Sequence, residues 1–177
     1  MPGPSKIRIM LLIAVGALLA AFVLVIAAVR TSRPPAEARL IRNFYEHRSD
    51  YERLRDMLVA DPEVVRVADW GVETVHSGIV HPPQGGFPSD RYREYLARLQ
   101  EMGAKWAFRD RGASPDEVGV GMWASGFAGD TRHIEICWLK QEPTNQVSSL
   151  DAFYKMPKPR KPVFRHIDSD WYLWADW

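Results

Sequence analysis

Residues 9–29, from Ile9 to Val29, form an unbroken apolar run with no charge and no strong hydrogen-bonding side chain. A helix rises about 1.5 Å per residue, so such a run reaches about 30 Å, the hydrocarbon thickness of a bilayer. Lys6 and Arg8 close it on one side, Arg30 and Arg33 on the other. The run predicts one transmembrane helix acting as an uncleaved signal anchor. A cleaved signal peptide has an apolar core of about 7–15 residues ahead of a small-x-small site, and the exit Ala27-Ala28-Val29-Arg30 is a poor one. The chain is therefore expected to divide into a short basic tail (1–8), the transmembrane helix (9–29), a linker (30–36) and one soluble domain (37–177). Basic residues on the two flanks nearly balance under the positive-inside rule. The short tail ahead of a lone span favours a single-pass protein with its domain outside the cytoplasm, in a periplasmic or other extracytoplasmic space.

The expected domain of about 140 residues is long enough to bury a core of its own. The whole chain carries 23 basic and 22 acidic residues. All 22 acids follow the anchor, and setting aside Lys6, Arg8 and Arg30 leaves 20 basic residues beside them. That balance argues against a nucleic-acid partner, which calls for a basic excess. The one cysteine, Cys137, excludes an intramolecular disulfide and a four-cysteine zinc site.

Pro34-Pro35 stiffens the linker. Leu40, Phe44, His47, Tyr51, Leu54 and Leu58 recur at steps of three and four, which predicts one helix over about 36–60, stopped by Asp61-Pro62. Residues 64–69 and 72–80 read as strands around a Trp70-Gly71 turn. Three prolines and two glycines make 81–88 a loop with nothing regular in it. Ser89 or Asp90 is placed to cap a second helix with the stripe Tyr92, Tyr95, Leu96, Leu99 and Met102, and Gly103 stands where a helix ends. Strands are expected at 105–109, 118–125, 132–139, 163–167 and 171–177, with a long proline-bearing crossover at 141–162. Gly119 and Gly121 fall on one face of their strand, a sign that another element comes close. Helices segregated from hairpin-linked strands predict an α+β domain, an antiparallel sheet covered on one face by two helices.

Alternation puts His133, Glu135 and Cys137 on one face of one strand. Imidazole, carboxylate and thiolate all ligate zinc, but neighbours on one strand face stand about 6–7 Å apart, too far to share an ion unaided. His133, Glu135 and His166 are weak metal candidates should their strands pair. No metal or cofactor is expected. His76 and His81 are general-base candidates beside Glu73 or Asp90, yet no catalytic fingerprint accompanies them, and solvated loop histidines are the commoner case. Of the seven tryptophans, most belong to the core; Trp123 and Trp174, with His76 and His81, are the candidates for a ligand-binding surface. His47 sits in the apolar seam of the first helix, as a core-edge histidine or a pH-responsive contact. That seam, under three heptads long, suits docking on the chain's own sheet better than a coiled coil. Lys155 to Pro162 mixes four cations with three prolines and reads as an extended crossover that could touch anionic head groups.

The stretches Phe44 to Leu58 and Phe164 to Trp174 resemble the opening helix and closing hairpin of a loosely defined set of small bacterial membrane-anchored envelope proteins. The resemblance covers the two ends of the domain and implies a place in the cell envelope. It supplies no activity and no site residue.

The sequence thus describes a membrane-tethered, non-catalytic binding or accessory domain. Its expected partners are the lipid bilayer, through residues 9–29, and an envelope protein. Two alternatives belong to other classes: a small anchored enzyme using histidine and carboxylate chemistry, and a dimerising structural protein using the first helix.

Overall fold

The computed structural model describes residues 9, 11–22, 33–82, 84–109, 117–126, 131–156 and 161–176. The chain divides into two units, Met1–Pro34 and Pro35–Trp177. In the first, residues 11–22 are helical. Among the described residues no helix is long and apolar enough to cross a membrane; residues 10 and 23–29 of the expected span lie outside them.

The second unit is an α+β domain. Helices α1 (Glu37–Glu46) and α2 (Arg48–Ala60) lead into strands β1 (Val64–Ala68), β2 (Gly71–Thr74) and β3 (Ile79–Val80). Helix α3 (Ser89–Glu101) is followed by β4 (Trp106–Arg109), β5 (Glu117–Ser125) and β6 (Arg132–Leu139). A short helix, α4 (Leu150–Phe153), precedes β7 (Val163–Asp168) and β8 (Trp171–Asp176). The eight strands form one sheet in the order β3-β2-β1-β4-β5-β6-β8-β7, antiparallel at every strand pair.

Register across the sheet fixes its two faces. Val67, Ala107, Val120, Ile136 and Leu173 lie in one row across five strands. These residues share a single core with Leu40 and Phe44 of α1, Tyr51, Leu54 and Leu58 of α2, and Tyr95 and Leu99 of α3. The stripe of the first helical region is therefore buried inside the chain's own core. Phe108, Cys137, Tyr172 and Trp174 are buried outside that core, on the opposite face, where Ala68, Trp106, Gly121, Glu135, Trp174 and Phe164 form a second row.

Several expectations need correction. The single helix over 36–60 is two, broken at His47, whose φ of −117° and ψ of 23° leave the helical region. The His47 N–H closes α1 on the Asn43 carbonyl, and the His47 carbonyl accepts from Asp50 and Tyr51 to open α2. The strand over 72–80 is a hairpin, turned where Thr74 and Ser77 exchange hydrogen bonds. The loop at 81–88 contains a turn of 3-10 helix, Gln84–Gly86. Helix α3 has Pro88 as its N-cap and no side-chain cap, so neither Ser89 nor Asp90 serves as one. Its other end is as expected. Gly103 takes φ +64°, its N–H bonds the Gln100 carbonyl, and the Ala104 N–H bonds the Leu99 carbonyl at 2.8 Å, which is a Schellman closure.

Two helix starts cap each other through carboxylates. The Glu37 N–H donates to Asp151 Oδ1 at 3.0 Å, while the buried Glu37 carboxylate accepts from the Leu150 N–H at 2.6 Å and Arg165 Nε at 3.1 Å. Orphan N–H groups at both termini are thereby satisfied, and negative charge sits where the helix dipoles favour it.

Candidate functional site

The end of the sheet where β1 finishes and β4 begins carries an open groove of about 650 Å³, within the range of small-ligand sites. Trp70, Leu96, Leu99 and Trp106 give it apolar walls; Asp69, Gln100 and Lys105 add polar groups. Three local features build it. The first is the β1–β2 turn, which presents Trp70 at 38% exposure. Tyr92 of α3 holds that turn, with its hydroxyl 2.8 Å from the Ala68 carbonyl and 3.1 Å from the Asp69 carbonyl. Burial, followed by the charge of Asp69, raises the Tyr92 phenol above its ordinary value, so it remains a donor at neutral pH.

The second feature is the Schellman closure of α3, which turns the chain through Ala104 and Lys105 into β4. The Lys105 N–H then bonds the Gly121 carbonyl at 2.8 Å and fixes the start of the strand. The third is the absence of a side chain beneath Trp106. Trp106 pairs directly with Gly121, and a Cβ at Gly121 would lie 2.0 Å from the indole Cε2. Gly119 plays the same part under Phe108, where a Cβ would meet the ring at 2.1 Å. The close approach expected at these glycines is thus made by aromatic rings of the neighbouring strand. Gly121 sets the height of the Trp106 indole over β5.

The sequence candidates are placed elsewhere. Trp123 belongs to the core on the helix-covered face. Trp174 lies on the other face, paired with Glu135 and Phe164. The two therefore form no common surface. His76 is exposed at the tip of the β2–β3 hairpin, beside a small cleft that Glu63 and Phe87 also line. His81 follows β3 at the far end of the same short strand, so the pair does not converge.

His133, Glu135 and Cys137 share one face, as alternation requires, and Glu135 is buried. His133 packs edge-on to Trp106 with ring centroids 5.7 Å apart. His166 stands on β7, and β8 separates that strand from β6. Two strand spacings are about 9.6 Å, with Tyr172 and Trp174 between, so the pairing that a mixed metal site required is not the one formed. His166 instead places Nε2 2.8 Å from the Ser169 carbonyl and packs on Tyr172. Among the described residues no group of three histidine, cysteine, aspartate or glutamate side chains is placed to hold a metal ion.

His47 lies at the break between α1 and α2. Its Nδ1 is 3.6 Å from Asp50 Oδ2, and Arg98 holds the other oxygen of that carboxylate at 2.9 Å. The neighbouring polar cluster is structural too. Asp61, just past α2, accepts from Arg91 Nε at 2.7 Å and from the Tyr95 hydroxyl at 2.8 Å, tying α3 to the end of α2.

Sequence reasoning missed Trp70, Leu96, Lys105 and Trp106 as a group. One signal was present. The two-residue turn Asp69-Trp70 carries the largest side chain where turns ordinarily carry small polar residues. No family model matches the chain, and neither a curated protein nor a solved structure was found to match it.

Proposed function

We propose that this chain is a membrane-tethered, non-catalytic binding domain, anchored through residues 9–29 with the domain outside the cytoplasm, and that it takes its ligand in the Trp70–Trp106 groove. One observation carries the reading: Trp70 of the β1–β2 turn and Trp106 at the start of β4 both line a common space of about 650 Å³, on backbone already fixed by the Tyr92 hydroxyl, the α3 closure and Gly121. A preformed apolar site with a few polar groups at its rim is what small-ligand binding calls for, because little ordering is lost on binding. The lining is mainly apolar, with Asp69, Gln100 and Lys105 as its polar side chains, which suits holding a molecule.

The test uses the full chain, labelled with 5-fluorotryptophan and reconstituted in lipid nanodiscs. A panel of small aromatic alcohols, aliphatic alcohols, dipeptides and sugars is added, and the Trp70 and Trp106 resonances are assigned by Trp→Phe variants. At least one chemical class should shift both resonances in a saturable way and leave Trp171 unmoved. Leu96→Trp, which fills the groove, should abolish the shift without lowering the unfolding midpoint. A panel that moves neither resonance overturns the reading. The tether is tested separately: a reporter fused after Trp177 that is active only in the cytoplasm would reverse the orientation.

A further inference from the structure

Resting on the reading of this groove as a ligand site, we propose that its ligand is a neutral saccharide, with a pyranose ring stacked on Trp70 and its hydroxyls taken by Asp69, Gln100 and Lys105. The lining limits the chemistry in three ways. First, its flat surfaces are indoles. An indole face carries negative quadrupole density, and the C–H groups on one side of a pyranose present weakly positive hydrogens over a flat area of matching size. The aliphatic part of the lining, Leu96, Leu99 and Ala104, suits any apolar surface; the indole of Trp70 favours a ligand with a flat C–H face.

Second, the polar groups cover both hydrogen-bonding senses. The Asp69 carboxylate only accepts, the Lys105 ammonium only donates, and the Gln100 amide does both. A hydroxyl is donor and acceptor at once, so a ring carrying several of them can satisfy all three side chains. An acyl or purely aromatic ligand would gain nothing from them and leave them to water. Third, the one carboxylate and the one ammonium leave the lining without net charge. An anionic ligand would meet Asp69 and a cationic ligand Lys105, whereas a neutral polyol meets neither penalty. All three polar side chains are exposed, so they sit at the mouth, where a ring lying on the Trp70 indole directs its hydroxyls. The groove is open to solvent, and the ligand can therefore be one unit within a longer glycan.

The experiment uses the same labelled full chain in nanodiscs with three neutral oligosaccharides, cellohexaose, maltohexaose and chitohexaose, beside a zwitterionic dipeptide and cyclohexanol. At least one oligosaccharide should shift the Trp70 and Trp106 resonances saturably. Trp70→Ala should weaken that binding about tenfold, the cost of one lost stacking surface. Asp69→Leu should weaken it as well, and Asp69→Asn, which keeps an acceptor, should largely retain it. The affinity should be unchanged between low and high salt, because no net charge is paired. If the dipeptide or cyclohexanol binds and no oligosaccharide does, the saccharide assignment is overturned and the groove remains a ligand site. If nothing binds, both fall. Saccharide binding that Trp70→Ala leaves intact places the sugar elsewhere and overturns the assignment.

Discussion

Gly121 and Gly119 are positions where one added carbon has an outsized effect. In most strands Ala in place of Gly stabilises, by about 0.5–1 kcal/mol. Here the new Cβ would stand 2.0 Å from the Trp106 ring or 2.1 Å from the Phe108 ring, and the indole is held by a directly paired strand. Displacing it is an overpacking change, with a cost of about 1–3 kcal/mol. Gly121→Ala should therefore destabilise the domain in urea unfolding and alter its near-ultraviolet circular dichroism, since Trp106 must tilt. Two tyrosines act through protonation instead. Tyr51 and Tyr95 are fully buried; the first donates to Asn43 Oδ1 at 2.6 Å and the second to Asp61 Oδ2 at 2.8 Å. Burial is the main cause raising both phenols far above their ordinary value, and for Tyr95 the Asp61 carboxylate adds to it. Unfolding returns each phenol to a value near about 10. Above that pH the unfolded chain binds fewer protons than the folded one, so stability falls as pH rises. The loss is about 1.4 kcal/mol per pH unit for each phenol. Urea midpoints taken from pH 9 to 11 should show this decline, and Tyr95→Phe should remove one phenol's share of the slope.

The helical region shows what a sequence pattern can and cannot reveal at the scale of elements. The three-and-four stripe from Leu40 to Leu58 survives the break at His47, because α1 and α2 bury the same face on the same sheet. Periodicity alone therefore gave the buried face correctly and the continuity wrongly. The strands of the hairpin-linked run were legible from their alternation, although register shifts at Val64/Arg66, Gly121/Trp123 and His166/Asp168 interrupt it. The tight Thr74–Ser77 turn was not, since its two central residues, Val75 and His76, are uncommon turn formers. The groove was harder still. Its residues come from a turn, a helix and a strand start, brought together by the Tyr92 hydroxyl and by Gly121, and neither contact has a local signature. Phe44 is the residue that tests the helical packing. It is fully buried, with its ring centroid 5.4 Å from that of Trp171 and 5.5 Å from that of Tyr51. Phe44→Ala should cost about 3–5 kcal/mol and Leu54→Ala about 2–5. Both variants should keep the parent's oligomeric state in sedimentation. Unchanged stability together with a change from dimer to monomer would assign the stripe to an intermolecular seam.

At the scale of the whole molecule, the last strand in sequence is an inner strand of the sheet. β8 lies between β6 and β7, with residues 171–176 paired to 133–138 on one side and residues 171–175 paired to 163–168 on the other, across a register shift between His166 and Asp168. β8 is thus hydrogen-bonded along both edges. Trp171, Leu173 and Ala175 face the main core and are nearly fully buried, and Tyr172 and Trp174 are buried on the opposite face. Deleting residues 171–177 would remove all five side chains. It would also strand β7, whose remaining described pairing is the single bridge between Gln146 and Phe164. Loss of one buried tryptophan costs about 3–5 kcal/mol, and a whole domain holds about 5–15, so the truncated chain should show no cooperative unfolding transition by calorimetry or circular dichroism. Replacing Lys155 and Lys161, both exposed, by serine should leave the transition within about 0.5 kcal/mol of the parent, as surface changes do. A truncated chain that still melts cooperatively near the parent temperature would mean that β6 can serve as a sheet edge and that the stability of this fold resides in the helices and the first six strands.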